Sequence, residues 1–187
     1  MNTGNNKSVL RGWGRVAGLW LIAAGWSVST CSMQAQTEDG VKAAFIYNFA
    51  KFVEWPAAAF ASPASPLTVG FIGGGGLADS FEQNSKGKNA NGRDFVVKRL
   101  SGVAEVEQCQ MIYIADAAQV DAVTAALKGK AVLIVGDPEN LLDSGGAIRF
   151  IKEGAKVVFD LNLTAAAQAG LKVDPKIQKA ARTVRGG

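Results

Sequence analysis

Four consecutive glycines, Gly73-Gly74-Gly75-Gly76, stand between a predicted strand and a predicted helix. Gly73, Gly75 and Ala78 match the spacing of a dinucleotide-binding loop, in which glycines let the backbone approach a pyrophosphate at a helix N-terminus. Such a site also needs an acidic residue at the end of the following strand to bind the ribose hydroxyls, but that strand ends in Lys98-Arg99-Leu100. We therefore interpret the segment as an ordinary strand-to-helix connection and keep it as a candidate ligand loop.

Two acidic residues, Asp116 and Asp137, each follow a predicted buried strand. The carboxyl ends of parallel strands lie along the sheet edge where α/β proteins bind ligands, so this pair could bind a metal ion or act as acid and base. An aspartate in front of a helix more often accepts hydrogen bonds from the first amides of that helix. Since Asp116 precedes Ala117 and Asp137 precedes Pro138, helix capping is the favoured interpretation.

The sequence contains no histidine. This excludes a Ser-His-Asp or Cys-His catalytic centre within the chain, and it removes imidazole as a zinc ligand or as a base near neutral pH. With 48% hydrophobic and 19% charged residues, the chain can bury a core and is not a disordered tail. We predict a folded protein that is not an enzyme and that uses no cofactor and no metal ion.

The first 35 residues have the organisation of a secretory signal peptide. Basic residues are the only charges before Glu38, an apolar run follows at 16–28, and a small polar stretch comes next. The run is about 13 residues long, short of the ~20 that a membrane-spanning helix needs. We predict export, with cleavage after Ala35; an uncleaved anchor and lipidation at Cys31 are the alternatives.

Removing that segment leaves 17 basic residues against 16 acidic ones. The mature chain is then close to neutral, so its charge gives no reason to expect nucleic-acid binding. Cys109 becomes the only cysteine and cannot form an intrachain disulfide. It opens a predicted buried strand, which favours an inert core thiol over an intermolecular bridge or a reactive site.

The remaining chain, residues 36–187, alternates predicted strands and helices without an internal linker. This pattern predicts one α/β domain with a mostly parallel sheet, flanked by helices on both faces, and with a C-terminal antiparallel hairpin and terminal helix. Strands are predicted at 67–72, 95–100, 109–114 and 131–135, helices at 41–54, 77–84 and 117–127, and hairpin arms at 148–151 and 157–161.

Two short helices are predicted after the hairpin. Thr164 is expected to cap the first, which stops at Gly170, and Asp174-Pro175 is a favourable start for the second. The second is predicted to be amphipathic, with a basic face that is either solvated surface or a contact for an acidic protein or an anionic membrane. The basic face consists of Lys176, Lys179 and Arg182, and the apolar face of Ile177, Ala180, Ala181 and Val184.

The segment 42–56, KAAFIYNFAKFVEWP, resembles the opening signature of the YfiR family of exported bacterial proteins. Similar blocks follow, and together they span essentially all of residues 40–185. These blocks are 67–73 and 91–100, like the first two strands of the family, 109–115, like its central strand, and 145–187, like its closing block.

The resemblance implies regulation rather than catalysis. The best-understood member is a periplasmic repressor that binds the periplasmic sensor region of an inner-membrane diguanylate cyclase and keeps cyclic-di-GMP low. We therefore expect a periplasmic homodimer that represses such a cyclase, with no membrane span in the mature chain. The expected partner contacts are Leu171, Asp174, Ile177 and Lys179.

Two other functions stay open at this point. One is a periplasmic small-ligand-binding protein or enzyme that uses the glycine loop and Asp116, and the other is an accessory protein of an outer-membrane transport system. The chain also departs from the best-understood relative. Cys109 matches a family cysteine, but neither the first strand near Phe71, where its disulfide partner is expected, nor the second disulfide region at 138–146 contains a cysteine.

Overall fold

The computed structural model describes residues 37–186. The predicted signal peptide, residues 1–35, lies outside the described residues. The helices are α1 (Glu38–Phe52), α2 (Gly75–Ser85), α3 (Ala117–Ala126), α4 (Leu163–Gln168) and α5 (Pro175–Ala180), with 3-10 turns at Ala57–Ala59 and Val103–Gln108. The strands are β1 (Val53–Glu54), β2 (Leu67–Ile72), β3 (Asn89–Ala90), β4 (Arg93–Leu100), β5 (Met111–Ile114), β6 (Leu133–Gly136), β7 (Ile148–Glu153), β8 (Lys156–Asn162), β9 (Lys172–Val173) and β10 (Thr183–Arg185).

Eight strands form one sheet in the order β10-β8-β7-β6-β5-β2-β4-β3. The pairing is parallel throughout the central part of the sheet, β4-β2-β5-β6-β7. At the two ends of this part, β8 pairs antiparallel with β7 and β3 pairs antiparallel with β4. A separate antiparallel pair joins β1 to β9. This topology confirms the predicted α/β fold with a mostly parallel sheet and a C-terminal hairpin and helix.

Helices cover both faces of the sheet because the central strands are apolar on both sides. Every residue of β2 is buried, as expected for an interior parallel strand. One core lies under α1, α2 and α5 and includes the fully buried Ile46 and Phe49, while the other lies under α3 and includes Ile112 and Val120. Alternate residues of each central strand therefore enter different cores.

Two predicted helix starts are confirmed by their caps. The Asp116 side chain accepts a hydrogen bond from the Ala118 amide at the start of α3. The Asp174 side chain accepts one from the Lys176 amide, with proline at the first position of α5. In both cases the carboxylate satisfies an amide that has no partner within the helix.

Two other predicted caps are wrong. Asp137 caps no helix; its Oδ2 accepts hydrogen bonds from the Lys42 ammonium and the Tyr113 hydroxyl, both at 2.7 Å. The buried ammonium needs a counter-charge, and this requirement determines where the carboxylate lies. Thr164 does not cap α4, because Asn162 accepts the hydrogen bond from the Ala165 amide instead.

The predicted amphipathic helix at the end of the chain is too long. Helix α5 stops at Ala180, and Arg182 turns back to the sheet, where its guanidinium forms a bidentate pair with Asp160 at 2.9 and 2.7 Å. The following residues form β10, which pairs parallel with β8. These residues therefore pair with the edge of β8 instead of forming another helical turn, and Asp160 is the buried partner of Arg182.

Candidate functional site

A groove of about 780 Å³ opens beside the amino ends of β2 and β4. We call it the amino-edge groove. Its walls come from the end of α1, the β1–β9 pair, the 3-10 turn after β1 and the β3–β4 turn. It is lined by aromatic and charged side chains, including Phe52, Trp55, Phe60, Arg93, Lys172 and Asp174.

One wall depends on pairing between distant segments of the chain. Val53 of β1 lies opposite Val173 of β9, and the Asp174 amide donates a hydrogen bond of 3.0 Å to the Phe52 carbonyl. The sequence places these residues near opposite ends of the domain. The groove therefore exists only in the fully folded chain.

A glutamine fixes the opposite wall. The Trp55 indole N–H donates to the Gln110 carbonyl at 3.0 Å. The Gln110 side chain donates to the Ala59 carbonyl and accepts from the Thr68 amide, both at 2.9 Å. This residue therefore ties the turn after β1 to two strands of the main sheet, and it holds the indole at the groove.

Cations stacked on aromatic rings give the groove its electrostatic character. The Arg93 guanidinium lies 3.6 Å from the centre of the Phe60 ring, and the Lys51 ammonium lies 5.9 Å from the centre of the Phe52 ring. Arg93 also donates to the Ser65 carbonyl. Aromatic and arginine side chains are those that most often anchor protein–protein contacts. This arrangement suits recognition of planar or acidic groups.

The expected partner contacts fall into two groups. Asp174 lines the amino-edge groove and Lys179 is exposed on α5. Leu171 and Ile177 are only 4% and 5% exposed and pack in the core under α1. These two side chains offer no surface to a partner, because they anchor the segment that carries the other two.

The sequence signals did not identify most of the groove. The one local sign of this surface is a group of aromatic residues around Pro56, at the end of the opening signature and just after it. They are Phe52, Trp55 and Phe60. Arg93 and Lys172 lie far away in sequence and carry no motif. Only the fold brings these five residues together.

The glycine loop is held by close packing. Gly73 and Gly74 have φ values of 72° and 62°, in the left-handed region that favours glycine. A Cβ at Gly74 would lie 2.8 Å from the Tyr113 ring, and one at Gly76 would lie 2.5 Å from the Asp39 carboxylate. That carboxylate stands close to the N-terminus of α2, the position that an anionic ligand would take.

A charged network ties α1 to the carboxyl edge of the sheet. The Lys42 ammonium is 2.7 Å from Asp137 and 2.9 Å from Glu38, which also contacts Lys152 at 2.8 Å. Burial lowers the pKa of Lys42, but hydrogen bonds to Asp137 and Glu38 outweigh it and raise that pKa overall. Hydrogen bonds from Lys152 and Lys42 lower the pKa of Glu38 to about 2, and burial is the main cause that raises the pKa of Tyr113.

These contacts leave Asp116 and Asp137 with separate tasks. Asp116 is an exposed helix cap, whereas Asp137 neutralises Lys42. Within residues 37–186, no three histidine, cysteine, aspartate or glutamate side chains converge in a way that could hold a metal ion.

Cys109 is a buried, unpaired thiol, as the sequence predicts. It is 1% exposed, and burial raises its pKa to about 11. A thiol with such a pKa is almost entirely protonated at neutral pH, so it is a poor nucleophile. Its Sγ lies beside Gly70 of β2, where an added Cβ would approach it to 2.9 Å.

The fold is an α/β domain, and the amino-edge groove on it is lined by aromatic side chains, by Lys51, Arg93 and Lys172, and by the acidic Glu54 and Asp174. Residues 39–182, well over half of the chain, match a family model described as YfiR/HmsC-like. The chain belongs to the YfiR/HmsC-like family, whose members are periplasmic regulators rather than enzymes.

One solved structure supports the fold at low sequence identity. A conserved domain protein from Vibrio cholerae O1 biovar eltor str. N16961 has a TM-score of 0.50 and 13% identity, over 80% of this chain and 60% of that one. An ABC domain from Streptococcus pneumonia, solved in complex with L-Trp, is less similar, with a TM-score of 0.48 and 9% identity over 68% of this chain and 57% of that one. The chain thus spans about 60% of the length of the structures that it matches.

No curated protein matches the chain significantly. Across the part of the chain that the structure describes, no helix combines the length and the apolar character needed to cross a bilayer.

Proposed function

We propose that the protein is an exported repressor of an inner-membrane diguanylate cyclase. It binds the periplasmic domain of that cyclase and so lowers cyclic-di-GMP output and the biofilm formation that depends on it. Membership of the YfiR/HmsC-like family is the observation that carries this proposal. Residues 1–35 act as the signal peptide, and residues 36–187 form the periplasmic domain, which acts as a homodimer.

The partner contacts the amino-edge groove and the adjoining face of α5. Trp55 and Phe60 offer apolar area, and Arg93 and Lys172 offer charge beside it. Interfaces of this kind obtain most of their affinity from a few aromatic and arginine anchors. Asp174 lines the same groove, and Lys179 extends the contact surface along α5.

Cyclic-di-GMP measurements in cells test this function. Deletion of the gene is expected to raise cyclic-di-GMP, and an exported copy is expected to lower it again. A copy without residues 2–35 is expected to have no effect, because it stays on the wrong side of the inner membrane. Unchanged cyclic-di-GMP under several growth and envelope-stress conditions contradicts the proposal.

A charge reversal in the groove tests its role. Lys172→Glu is expected to weaken complementation, because it replaces a cation on the groove wall by an anion. The matched control is Lys128→Glu, an exposed lysine on the loop after α3, which should complement fully. Equal complementation by the two variants removes the groove from the proposed interface.

The size of the groove favours a second candidate function, small-ligand binding. Its volume of about 780 Å³ lies in the usual range of ligand sites. Trp55 lines it and is the only tryptophan within residues 37–186. Titration of the mature protein with nucleotides and aromatic metabolites, followed by Trp55 fluorescence, is expected to show a saturable change if this function is correct.

A further inference from the structure

Strand β4 leaves most of one side unpaired. Its residues 95–100 pair with β2 on one side, but on the other side β3 pairs only with Arg93 and Asp94. The outward N–H and C=O groups beyond Asp94 therefore have no strand neighbour in the described chain. An unpaired edge of this length is a template for adding a strand from another chain.

A groove of about 620 Å³ runs beside this edge. It lies between the end of α2, the loop 86–88 and the side chains of Phe95 and Val97. On the other face of β4, Val96 is 37% exposed and is one of only two large hydrophobic side chains exposed within residues 37–186. Apolar surface thus accompanies the free backbone groups on both faces of the strand.

Basic side chains outnumber acidic ones along this edge, where the acidic residues that line the groove are Glu82 of α2 and Asp94 of β4. Lys86, Lys88 and Lys98 have no carboxylate within salt-bridge distance in the part of the chain that the structure describes. Arg99 differs, because Asp79 and Glu82 of α2 hold it. The Lys98 ammonium donates a hydrogen bond to the neutral side chain of Gln108. The open edge therefore offers unneutralised cations to an incoming strand.

A second copy of the chain fits this edge poorly. Two β4 strands related by a twofold axis pair antiparallel, and each β3 blocks the positions opposite Arg93 and Asp94. The registers that remain are centred on Lys98 or on Arg99. The first places the Lys98 ammonium, which has no carboxylate partner in the described chain, directly opposite its own copy, and like charges in that position are unfavourable. The second places Arg99 opposite its own copy, although Asp79 and Glu82 already hold each guanidinium.

We propose that the open edge of β4 binds an extended acidic segment of a partner protein by strand addition. An acidic side chain of that segment lies opposite Lys98, and an apolar one lies opposite Val96. The segment completes the hydrogen bonding of residues 95–100 and neutralises the lysines beside them. This surface is separate from the amino-edge groove and does not rest on the proposed function.

Peptide binding to the mature protein tests the proposal. The probe is a fluorescein-labelled peptide of about nine residues, long enough to span the open edge. It carries a central glutamate, valines two positions to either side and threonines elsewhere; its matched partner carries lysine in place of the glutamate. Fluorescence anisotropy is expected to show the glutamate peptide binding about three- to fivefold more tightly.

Variants at Lys98 give the decisive readout. Lys98→Glu is expected to reverse the preference, so that the lysine peptide binds more tightly, and Lys98→Thr is expected to abolish the preference without adding a new charge. Lys128→Glu, far from this edge in the fold, should leave the preference unchanged. Trp55 fluorescence and circular dichroism check that each variant is folded.

Three outcomes overturn the proposal. The first is that neither peptide binds, in which case the lysines only protect the edge from aggregation. The second is a preference that Lys98→Glu leaves unchanged. The third is a homodimer, measured by light scattering, that Val96→Asp dissociates, since a second copy would then occupy the edge.

Discussion

Replacing Gly70 by cysteine is expected to create a disulfide with Cys109. A Cβ built on Gly70 lies 2.9 Å from the Cys109 Sγ, and these two atoms are about 3 Å apart across a disulfide of ordinary geometry. Gly70 precedes Phe71, near which the family resemblance implies a disulfide partner. The same Cβ would lie 2.7 Å from the Cδ1 atoms of Ile112 and Leu100, so both methyl groups must move.

The expected size of the effect follows from loop closure and packing. The bridge closes a loop of about 40 residues, which stabilises the oxidised variant by about 4 kcal/mol relative to the reduced one. Displacing core methyl groups costs about 1–3 kcal/mol relative to the original chain. The oxidised variant should therefore be about 1–3 kcal/mol more stable than the original protein, and the reduced variant less stable.

Urea denaturation with and without reductant measures this effect. Gly70→Ala is the matched control, because it adds the Cβ without a thiol and so reports the packing cost alone. Thiol labelling of the unfolded protein counts free cysteines. If both thiols remain free after refolding under oxidising conditions, the placement of Cys109 beside β2 is wrong, and so is the reasoning above.

Three further predictions concern the charged groups. Lys42→Met is expected to lower the free energy of unfolding by about 2–4 kcal/mol, because Asp137 loses its counter-charge; urea denaturation measures it. Asp160→Asn should destabilise the fold by about 2 kcal/mol, since a buried carboxylate then no longer holds Arg182, and hydrogen exchange in β10 should become faster. The pKa of Glu38 is lowered to about 2 from its ordinary 4.5, so its stabilising contribution is complete above pH 4.5 and is lost as the pH falls towards 2. Glu38→Gln should flatten this part of the stability curve in acid titrations.

Each of these results has a control in the chain. Lys128→Met removes an exposed lysine outside any salt bridge of the described residues and should leave the free energy of unfolding within about 0.5 kcal/mol of the original. A loss in Lys42→Met no larger than this contradicts the assigned ion pair. For Asp160→Asn, unchanged exchange in β10 means that Arg182 does not anchor that strand. If the free energy of unfolding of Glu38→Gln falls in acid as steeply as that of the original protein, carboxylates other than Glu38 cause the loss of stability.

Local sequence patterns predicted the elements that depend on local chemistry. The bounds of β2 agree with the prediction at 67–72, because a continuous apolar run lies between Pro66 and a glycine. The cap at Asp174 could be predicted for a similar reason, since an aspartate before a proline satisfies the first amides of a helix without tertiary contacts. The hairpin of β7 and β8 also follows from alternation within one short segment.

Long-range pairings could not be predicted in this way. Strand β1 is only two residues long and is a strand because β9 lies beside it. Lys42 and Asp137 are 95 residues apart in sequence, and no sequence pattern in either segment indicates that these two side chains form an ion pair. Arg182 fits the spacing of a helical face, yet a bidentate contact with a buried carboxylate outweighs that periodicity. The amino-edge groove was missed for the same reason, because its walls come from distant segments.

The pairing of β1 with β9 also determines when the chain can fold. Residues near the start of the domain need partners that are synthesised more than a hundred residues later, since Val53 lies opposite Val173. Contacts of such high sequence separation slow folding and make it a late, cooperative event. A chain emerging from a ribosome cannot complete its core until nearly all of it is free, because Leu171 and Ile177 belong to the core under α1. The native state is therefore assembled after the domain has been synthesised rather than during its synthesis.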